Sequence, residues 1–306
     1  MSSGEISPLV SVIVPCYNYS AYVGQALLSI LAQDYPNFEL IIVDDGSTDD
    51  SVVVIERAIA GCESWSLVRR VRFFCQSNQG VSAALNAGLA YAEGAFIATF
   101  DADDLMPPGR IYLQVNYLLA HPSVGCLGGK TIPIDERGNM LPTNMKRKSV
   151  LRFNFSEALA VALCVGGNVA MYRSDAMERV GNYDPEIKVQ DFQMTLKIAY
   201  AGYGVAILPE VVTFYRQHGC SLSKDYKTEY QYNLKVIEPY SAHLSYESAW
   251  ARVITKALHN AVIYDKRYAW ELFRQVPLRQ WDKKLLRRLR HFLFKAQKPW
   301  PFGVLN

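Results

Sequence analysis

The first 130 residues alternate short apolar runs with segments whose apolar residues have helical spacing. Four runs have the β-branched and aromatic composition of buried strands, at 9–15, 39–45, 71–76 and 95–101. Helical spacing lies between and after them, at about 21–32, from Ser47 or Thr48 onward, at 80–94 and after Pro107. Wholly apolar strands that alternate with helices form a parallel sheet covered by helices on both faces. The predicted fold class is therefore α/β, with a mostly parallel, Rossmann-like sheet.

The pattern changes twice along the rest of the chain. From about 124 to 217 it is mixed, and "YGVAILPEVVTFYRQHG" (203–219) predicts two further strands. From Lys224 onward glycine is absent until Gly303 and helical spacing dominates. We therefore expect an α/β domain over 1–223 and a helical C-terminal extension over 224–306.

Cysteine usage and hydropathy limit the compartment in which the chain works. The six cysteines form no C-x-x-C pair, which argues against a zinc site or a disulfide framework and suits a reducing cytoplasm. The N-terminal "MSSGEISP" has no signal-peptide core, and no apolar run approaches the roughly 20 residues that span a bilayer. We expect a cytoplasmic protein, either soluble or peripheral on the inner face of the cell membrane.

The basic charge is concentrated in the C-terminal segment. Residues 266–306 carry eleven Lys or Arg against two acids, a net charge of +9, so 1–265 carry −6. Within 281–300, helical spacing places four apolar residues on one face, namely Leu285, Leu289, Phe292 and Leu293. Such a helix suits an anionic membrane surface. The alternative is a terminal helix that packs on its own domain or on a second subunit of a homo-oligomer. Nucleic acid fits less well, because the aromatic residues do not follow a basic groove.

Carboxylates follow two of the predicted strands, where ligands of open α/β sheets bind. The stretch "AFIATFDADDLMPP" (95–108) ends a buried strand in Asp101, Asp103 and Asp104. Two such charges roughly 4 Å apart repel by about 4 kcal/mol at an effective dielectric near 20. A D-x-D turn offers hard oxygen ligands for Mg²⁺ or Mn²⁺, which would remove this repulsion. The alternative is a set of solvated, helix-capping carboxylates.

Two other strand ends carry candidate nucleotide contacts. The turn of Pro15, Tyr17 and Asn18 places a ring and an amide where a base could stack, although a plain strand–loop junction accounts for it as well. In "VDDGSTDDS" (43–51), Asp44 or Asp45 could accept from a base or ribose, or form an ordinary turn and helix cap. Neither G-x-G-x-x-G nor a P-loop motif occurs, which excludes those phosphate-binding loops.

Three later residues are candidates only in context. Asp191 precedes a helical pattern and could simply cap that helix. His218 and Arg216 could bind metal or phosphate, but a lone histidine is more often structural.

The order of these motifs resembles that of family 2 glycosyltransferases with the GT-A fold. The resemblance covers about 8–223 and rests on "SVIVPCYN", "ELIIVDDGSTDDS", "NQGVSAALNAGLAYAEGAFIATFDADD", "GGNVAMYR", "VQDFQMTLKIAYAGY" and "FYRQH". It implies a nucleotide-sugar donor, usually UDP-linked, a divalent cation (Mn²⁺ or Mg²⁺) and inversion at the anomeric carbon.

The resemblance also implies roles for individual positions. Those that match nucleotide-binding residues are Pro15, Tyr17, Asn18, Asp44, Asn78, Gly80, Asp101 and Arg216. Those that match metal ligands are Asp101, Asp103 and His218. Asp191 matches the catalytic base. Acceptor contacts are expected near Gly166, Gly167, Asn168 and Gln190, the last of which stands where the family commonly has Glu.

The expected activity is transfer of a sugar from a UDP-sugar to a hydroxyl of a glycan or lipid-linked saccharide, in surface polysaccharide synthesis. Two alternatives place similar residues beside a nucleotide. A sugar nucleotidyltransferase would release pyrophosphate and would not need Asp191. A non-catalytic relative would bind the sugar nucleotide without transfer, although the intact D-x-D and Asp191 weigh against it.

Overall fold

The computed structural model describes residues 7–60, 67–143, 148–218 and 226–300. The chain forms two compact units. One comprises Met1–Phe155 and Cys164–Gly219, and the other comprises Ser156–Leu163 and Cys220–Asn306. The domain division predicted between residues 223 and 224 stays a prediction, and both of those residues lie outside the described ones.

The first unit is built on an eight-stranded sheet. Its strands are β1 (Val10–Cys16), β2 (Phe38–Asp44), β3 (Val68–Cys75), β4 (Phe96–Thr99), β5 (Val124–Ile134), β6 (Leu151–Phe153), β7 (Met171–Arg173) and β8 (Gly204–Arg216). Their order is β3-β2-β1-β4-β7-β5-β8-β6. The first four are parallel to one another, as are β5 and β8, whereas β7 and β6 pair with their neighbours in antiparallel fashion. The predicted α/β class with a mostly parallel sheet is confirmed.

Helices cover this sheet on both faces, as alternate residues of β1 show. The helices of this unit are α1 (Val23–Leu31), α2 (Ser51–Ile59), α3 (Val81–Leu89), α4 (Arg110–Ala120), α6 (Ser174–Val180) and α7 (Gln190–Tyr200), while α5 (Phe155–Ala160) belongs to the second unit from Ser156 onward. Val12 and Val14 join a buried cluster that includes residues of α1 and α4. Ile13 faces α3, where a Cβ on Gly88 would lie 2.6 Å from its Cγ2. Gly88 therefore permits the close approach of helix and sheet.

Two local predictions are wrong. Helix α2 begins at Ser51, because Ser47 uses its N–H and hydroxyl to close a turn with Asp44 instead of capping the helix. Residues 204–216 form one strand and not two. Pro209 lacks an N–H, but the pairing with β5 slips at this point and the strand continues beyond it.

The second unit is helical, as predicted for the C-terminal extension. Its main helices are α8 (Tyr226–Ile237), α9 (Tyr246–Tyr264), α10 (Lys266–Phe273) and α11 (Lys283–Phe294). Asp282 caps α11 by accepting from the N–H groups of Lys284 and Leu285 at 2.9 and 2.8 Å. Among the described residues, no helix combines the length and the apolar character needed to cross a bilayer.

Candidate active site

The carboxyl ends of β1, β2 and β4 lie at one edge of the sheet, because β1 runs parallel to the other two and pairs with both. Cys16 at the end of β1 lies opposite Asp44, and Ile13 lies opposite Thr99. The segments that follow these strands contain the predicted base-binding turn, the Asp44–Asp45 pair and the D-A-D-D turn. The fold therefore places three of the predicted motifs side by side.

The Asp44–Asp45 pair is enclosed by hydrogen-bond donors. Asp44 is buried and accepts from the N–H and the hydroxyl of Ser47 at 2.9 and 2.5 Å. Asp45 is buried too and accepts from Gln76 Nε2, Gln79 N and Gly80 N at 2.8 to 2.9 Å. These carboxylates hold the turn and the start of α3 in place. The predicted contact of Asp44 with a base or ribose stays a prediction.

The remaining predicted base-side residues surround this turn. Asn18 has φ of 57°, a left-handed conformation that asparagine tolerates, and its Oδ1 accepts from Thr48 N at 2.7 Å. Pro15 lies near the end of β1, and Tyr17 is 43% exposed. Asn78 and Gly80 are exposed in the loop before α3. Apart from Pro15, which belongs to β1, these residues lie in the loops that follow the strands.

The D-A-D-D turn concentrates negative charge. One oxygen from each of Asp101, Asp103 and Asp104 lies within 4.8 Å of the others. Burial raises the pKa of Asp101 well above its usual value, and the neighbouring carboxylates of Asp104, Asp103 and Asp191 raise it further. Burial also raises the pKa of Asp104, to about 7. The turn thus has the electrostatic strain that a bound cation would relieve.

The three carboxylates differ in whether their oxygens are available to bind a cation. Asp104 is fully buried, and each of its oxygens accepts a hydrogen bond, from Arg216 N at 2.8 Å and from Asn168 Nδ2 at 2.6 Å. Asp103 Oδ2 lies 2.9 Å from His218 Nε2. Two carboxylates and an imidazole fit a divalent cation, and nitrogen ligation suits Mn²⁺ better than Mg²⁺. Asp101, Asp103 and His218 are therefore the residues that would hold it.

Arg216 is buried and uses its guanidinium within the protein. It is 1% exposed. Its nitrogens donate to Asp103 O at 2.7 Å, Glu136 O at 2.7 Å and Gln25 Oε1 at 2.9 Å. These bonds attach the end of β8 to the D-A-D-D turn. The predicted diphosphate contact of Arg216 stays a prediction.

Asp191 lies in the first turn of α7 with its carboxylate buried. Gly167 N–H donates to this carboxylate, yet Oδ1 has no hydrogen-bond partner among the described residues. Burial raises the pKa of Asp191 to about 6. A Cβ on Gly167 would lie 3.0 Å from Oδ1, so glycine permits this close approach. The result is a carboxylate with one oxygen available and a raised proton affinity, as a general base requires.

The other predicted acceptor-side residues lie beside Asp191. Asn168 is buried and its side chain contacts Asp104, while Gly166 precedes the Gly167 that binds Asp191. Gln190 is half-buried at the first position of α7. Their contacts with an acceptor stay predictions.

Sequence reasoning missed several residues that build this site. The resemblance assigned a role to Asp44 alone and gave none to Asp45 or Asp104. The pKa of Tyr19 is raised by burial and by nearby Asp103 and Asp101, which places its hydroxyl beside the turn. In the sequence, Asp45 and Asp104 are recognisable only as acids at strand ends. What distinguishes them from the neighbouring acids is their hydrogen bonds to residues distant in sequence. Tyr19 carried no signal beyond its place after the "PCYN" turn.

Comparison with solved structures supports the fold. The S. aureus protein TarS (residues 1–349), in complex with UDP-GlcNAc, aligns with a TM-score of 0.66 and 19% identity over 93% of this chain and 80% of that one. The mannosyltransferase PcManGT from Pyrobaculum calidifontis, in complex with GDP-Man and Mn²⁺, aligns with a TM-score of 0.60 and 22% identity over 95% and 88%. At such identities the likeness concerns the GT-A fold alone.

Sequence comparison supplies the family. An uncharacterized glycosyltransferase of Haemophilus influenzae is 39% identical over 135 residues, which is 44% of this chain and 51% of that protein. The chain spans 27% of the length of a second curated relative and 66% of the length of a third. The model of the family described as glycosyl transferase family 2 matches residues 11–181, more than half of the 306-residue chain. The chain therefore belongs to glycosyl transferase family 2.

Proposed function

We propose that this chain transfers a sugar from a nucleoside-diphosphate donor, a UDP-sugar in the first instance, to a hydroxyl group. The acceptor is a glycan or a lipid-linked saccharide in surface polysaccharide synthesis, and the anomeric configuration inverts. One observation carries the proposal. The buried carboxylate of Asp191 is close enough to Asp101 to raise its pKa, so the candidate base and the candidate cation ligands share one electrostatic environment.

Each group in this environment has a step to perform. Asp191 Oδ1 accepts the proton of the acceptor hydroxyl as that oxygen forms a bond to C1 of the donor sugar. The bond from C1 to the diphosphate oxygen breaks on the opposite face, and its electron pair leaves with the nucleoside diphosphate. Asp101, Asp103 and His218 would hold the cation, which would offset the charge of the departing diphosphate. Burial keeps Asp191 basic until the acceptor arrives.

A donor screen tests the proposal. UDP-, GDP- and dTDP-sugars are added to the protein with Mn²⁺, and the unfolding temperature is measured. A ligand at about 100 times its Kd should stabilise the fold by about 2.7 kcal/mol. We expect a UDP-sugar to give the largest shift, as for TarS, which was solved with UDP-GlcNAc. A GDP-sugar is the main alternative, since PcManGT was solved with GDP-Man and Mn²⁺. No shift with any sugar nucleotide, or release of pyrophosphate when the protein is given UTP and a sugar 1-phosphate, would contradict the proposal.

We also propose that α11 binds an anionic membrane surface, through residues other than those on its packed face. Leu285 is fully buried, and the ring of Phe292 stacks on that of Trp270 with centroids 6.1 Å apart. Three apolar side chains remain exposed, Leu286 at 52%, Leu293 at 58% and Phe294 at 80%. Exposed basic residues lie among them, at Lys283, Lys284, Arg287 and Arg290. Exposed apolar groups between cations suit an anionic lipid surface.

Vesicle sedimentation tests this surface. The full chain should bind phosphatidylglycerol vesicles more tightly than phosphatidylcholine vesicles, and salt should weaken the binding. Replacing Leu286, Leu293 and Phe294 by Ser should lower the affinity by about tenfold or more, since each buried CH₂ contributes about 0.8 kcal/mol. Leu244→Ser is the matched control, because Leu244 is 99% exposed and lies outside α11. Equal binding by the triple variant and the control would contradict the proposal.

A further inference from the structure

Asp104 differs from the other two acids of its turn, because both oxygens of its carboxylate accept hydrogen bonds inside the protein. It has no exposed surface, and its two oxygens face donors from different parts of the chain. Oδ1 accepts from the N–H of Arg216, at the end of β8, and Oδ2 accepts from Asn168 Nδ2 in the loop before β7. A cation that binds from solvent reaches neither oxygen without breaking one of these bonds.

Arg216 completes a closed ring of contacts around the turn. Its N–H donates to the Asp104 side chain at 2.8 Å, and its Nε donates to the backbone oxygen of Asp103 at 2.7 Å. The peptide between Asp103 and Asp104 is therefore held from both sides by one residue. This fixes the backbone from which the Asp103 carboxylate projects.

The loop at Asn168 is fixed as firmly, by contacts to its backbone. The carbonyl of Asn168 accepts from Arg110 Nη1 at 2.7 Å and from Thr213 Oγ1 at 2.5 Å. One residue earlier, the carbonyl of Gly167 accepts from Thr99 Oγ1 at 2.7 Å. The N–H of Gly167 donates to Asp191. Asp104 thus reaches the candidate base through two adjacent residues.

We propose that Asp104 is a positioning residue, which binds Asn168 in order to fix the D-A-D-D turn relative to the loop that holds Asp191, and that it is not a cation ligand. This inference rests on the proposed function, since it assigns a purpose to the distance between cation ligands and base. Binding a cation requires only that the carboxylates lie close together. Sugar transfer also requires a fixed distance between the cation ligands and the base. A shift of about 1 Å between reacting groups can cost about 10²-fold in rate.

An exchange of the two side chains tests the inference. In the double variant Asp104→Asn/Asn168→Asp, Asn at 104 can still accept from Arg216 N through Oδ1, and its Nδ2 can donate to the carboxylate at 168. Both hydrogen bonds survive while the charge moves. In Asp104→Asn alone two amide groups face each other, and in Asn168→Asp alone two carboxylates do. The readouts are the unfolding temperature, the calorimetric affinity for UDP with Mn²⁺, and kcat.

Each single variant should lower kcat by about 10²-fold and lower the unfolding temperature, whereas the double variant should recover most of both losses. Such recovery is expected because substitutions at contacting residues are commonly coupled. The affinity of the double variant for UDP with Mn²⁺ should stay within about threefold of that of the unmodified chain, because Asp104 is not a cation ligand in this account. If the single variants do not fold, the double variant still gives this result. Asn168→Ala adds a second readout, because it should lower kcat while leaving that affinity nearly unchanged.

Two results would overturn the inference. If the double variant binds UDP with Mn²⁺ as weakly as Asp103→Asn does, Asp104 is a cation ligand. If Asn168→Ala keeps full kcat, the contact with Asp104 does not position the site. Failure of the proposed function would show in the unmodified chain, which would then bind no nucleotide diphosphate. Failure of this inference would show only in the variants.

Discussion

Two acidic turns of similar sequence lie at the same edge of the sheet and have opposite surroundings. "VDDGSTDD" follows β2, and its first two carboxylates accept five hydrogen bonds from Ser47, Gln76, Gln79 and Gly80. "FDADD" follows β4, and there Asp101 is surrounded by three other carboxylates that raise its pKa. The first turn is stabilised by donors from Ser47 and from the loop after β3. The second keeps its charge concentrated, which suits a turn that binds a cation.

The largest expected effect concerns Asp191, an acid whose pKa is raised by burial, as is that of Asp101. Asp191→Asn removes the proton acceptor and should lower transfer by about 10²- to 10⁴-fold, with donor binding retained. Because burial raises the pKa of Asp191, its charge destabilises the fold above about pH 6, so the variant should also unfold at a higher temperature. Asp34→Asn, at an exposed position, is the control. Near-normal turnover of Asp191→Asn would remove the base assignment.

The next effect separates the two turns directly. Asp103→Asn should abolish the stabilisation of the protein by Mn²⁺ and lower transfer by about 10²- to 10³-fold, a size typical for losing charge stabilisation in a transition state. Asp45→Asn should leave the response to Mn²⁺ in place, because the oxygens of Asp45 already accept hydrogen bonds from backbone and side-chain N–H groups. Measured Mn²⁺ titrations of both variants decide this. Equal loss of the response would show that the turns do not differ in the way described.

The pH dependence gives a smaller, graded effect. In the proposed mechanism Asp191 accepts a proton only when it is deprotonated, and burial raises its pKa to about 6. Below that pH, kcat/KM should fall by about tenfold per unit, and above it the rate should reach a plateau. The steady-state rate measured between pH 4.5 and 8.5 checks this. A rate that is flat through pH 6 would contradict the raised pKa.

The smallest effect is a difference in stability of the metal-free protein. In EDTA at pH 8, Asp101→Asn removes a buried charge from among like charges and should raise the unfolding temperature. Asp45→Asn puts an amide opposite N–H donors and should cost about 1–3 kcal/mol. Thermal unfolding of the two variants gives the signs. Shifts of the same sign would remove the contrast between the turns.

Sequence patterns predicted the parts of this fold that depend on local composition. Wholly apolar runs gave the strands, and the parallel arrangement followed from the helices between them. The position of the acids at strand ends was therefore predictable. The start of α2 was not, because Ser47 could equally cap a helix or close a turn on Asp44.

The roles of the individual acids could not be predicted, since they depend on contacts distant in sequence. Asp104 binds residues 64 and 112 positions away, and neither contact leaves a local pattern. Arg216 resembles a phosphate ligand by its place in a motif, while the structure has it buried among carbonyl groups. On α11, helical spacing predicted one apolar face, and Leu285 packs as that spacing suggests. Leu293, predicted on the same face, is 58% exposed.

The most direct test of the central claim, that the turn after β4 exists to hold a divalent cation against a nucleotide diphosphate, is an anomalous-difference map from crystals grown with Mn²⁺ and UDP. We expect one strong peak bonded to Asp103, with Asp101 and His218 beside it and the diphosphate of UDP on its open side. Asp104 should keep its contacts with Asn168 and Arg216. A map without a peak there, with Asp101 and Asp103 turned toward solvent beside bound UDP, would contradict the account.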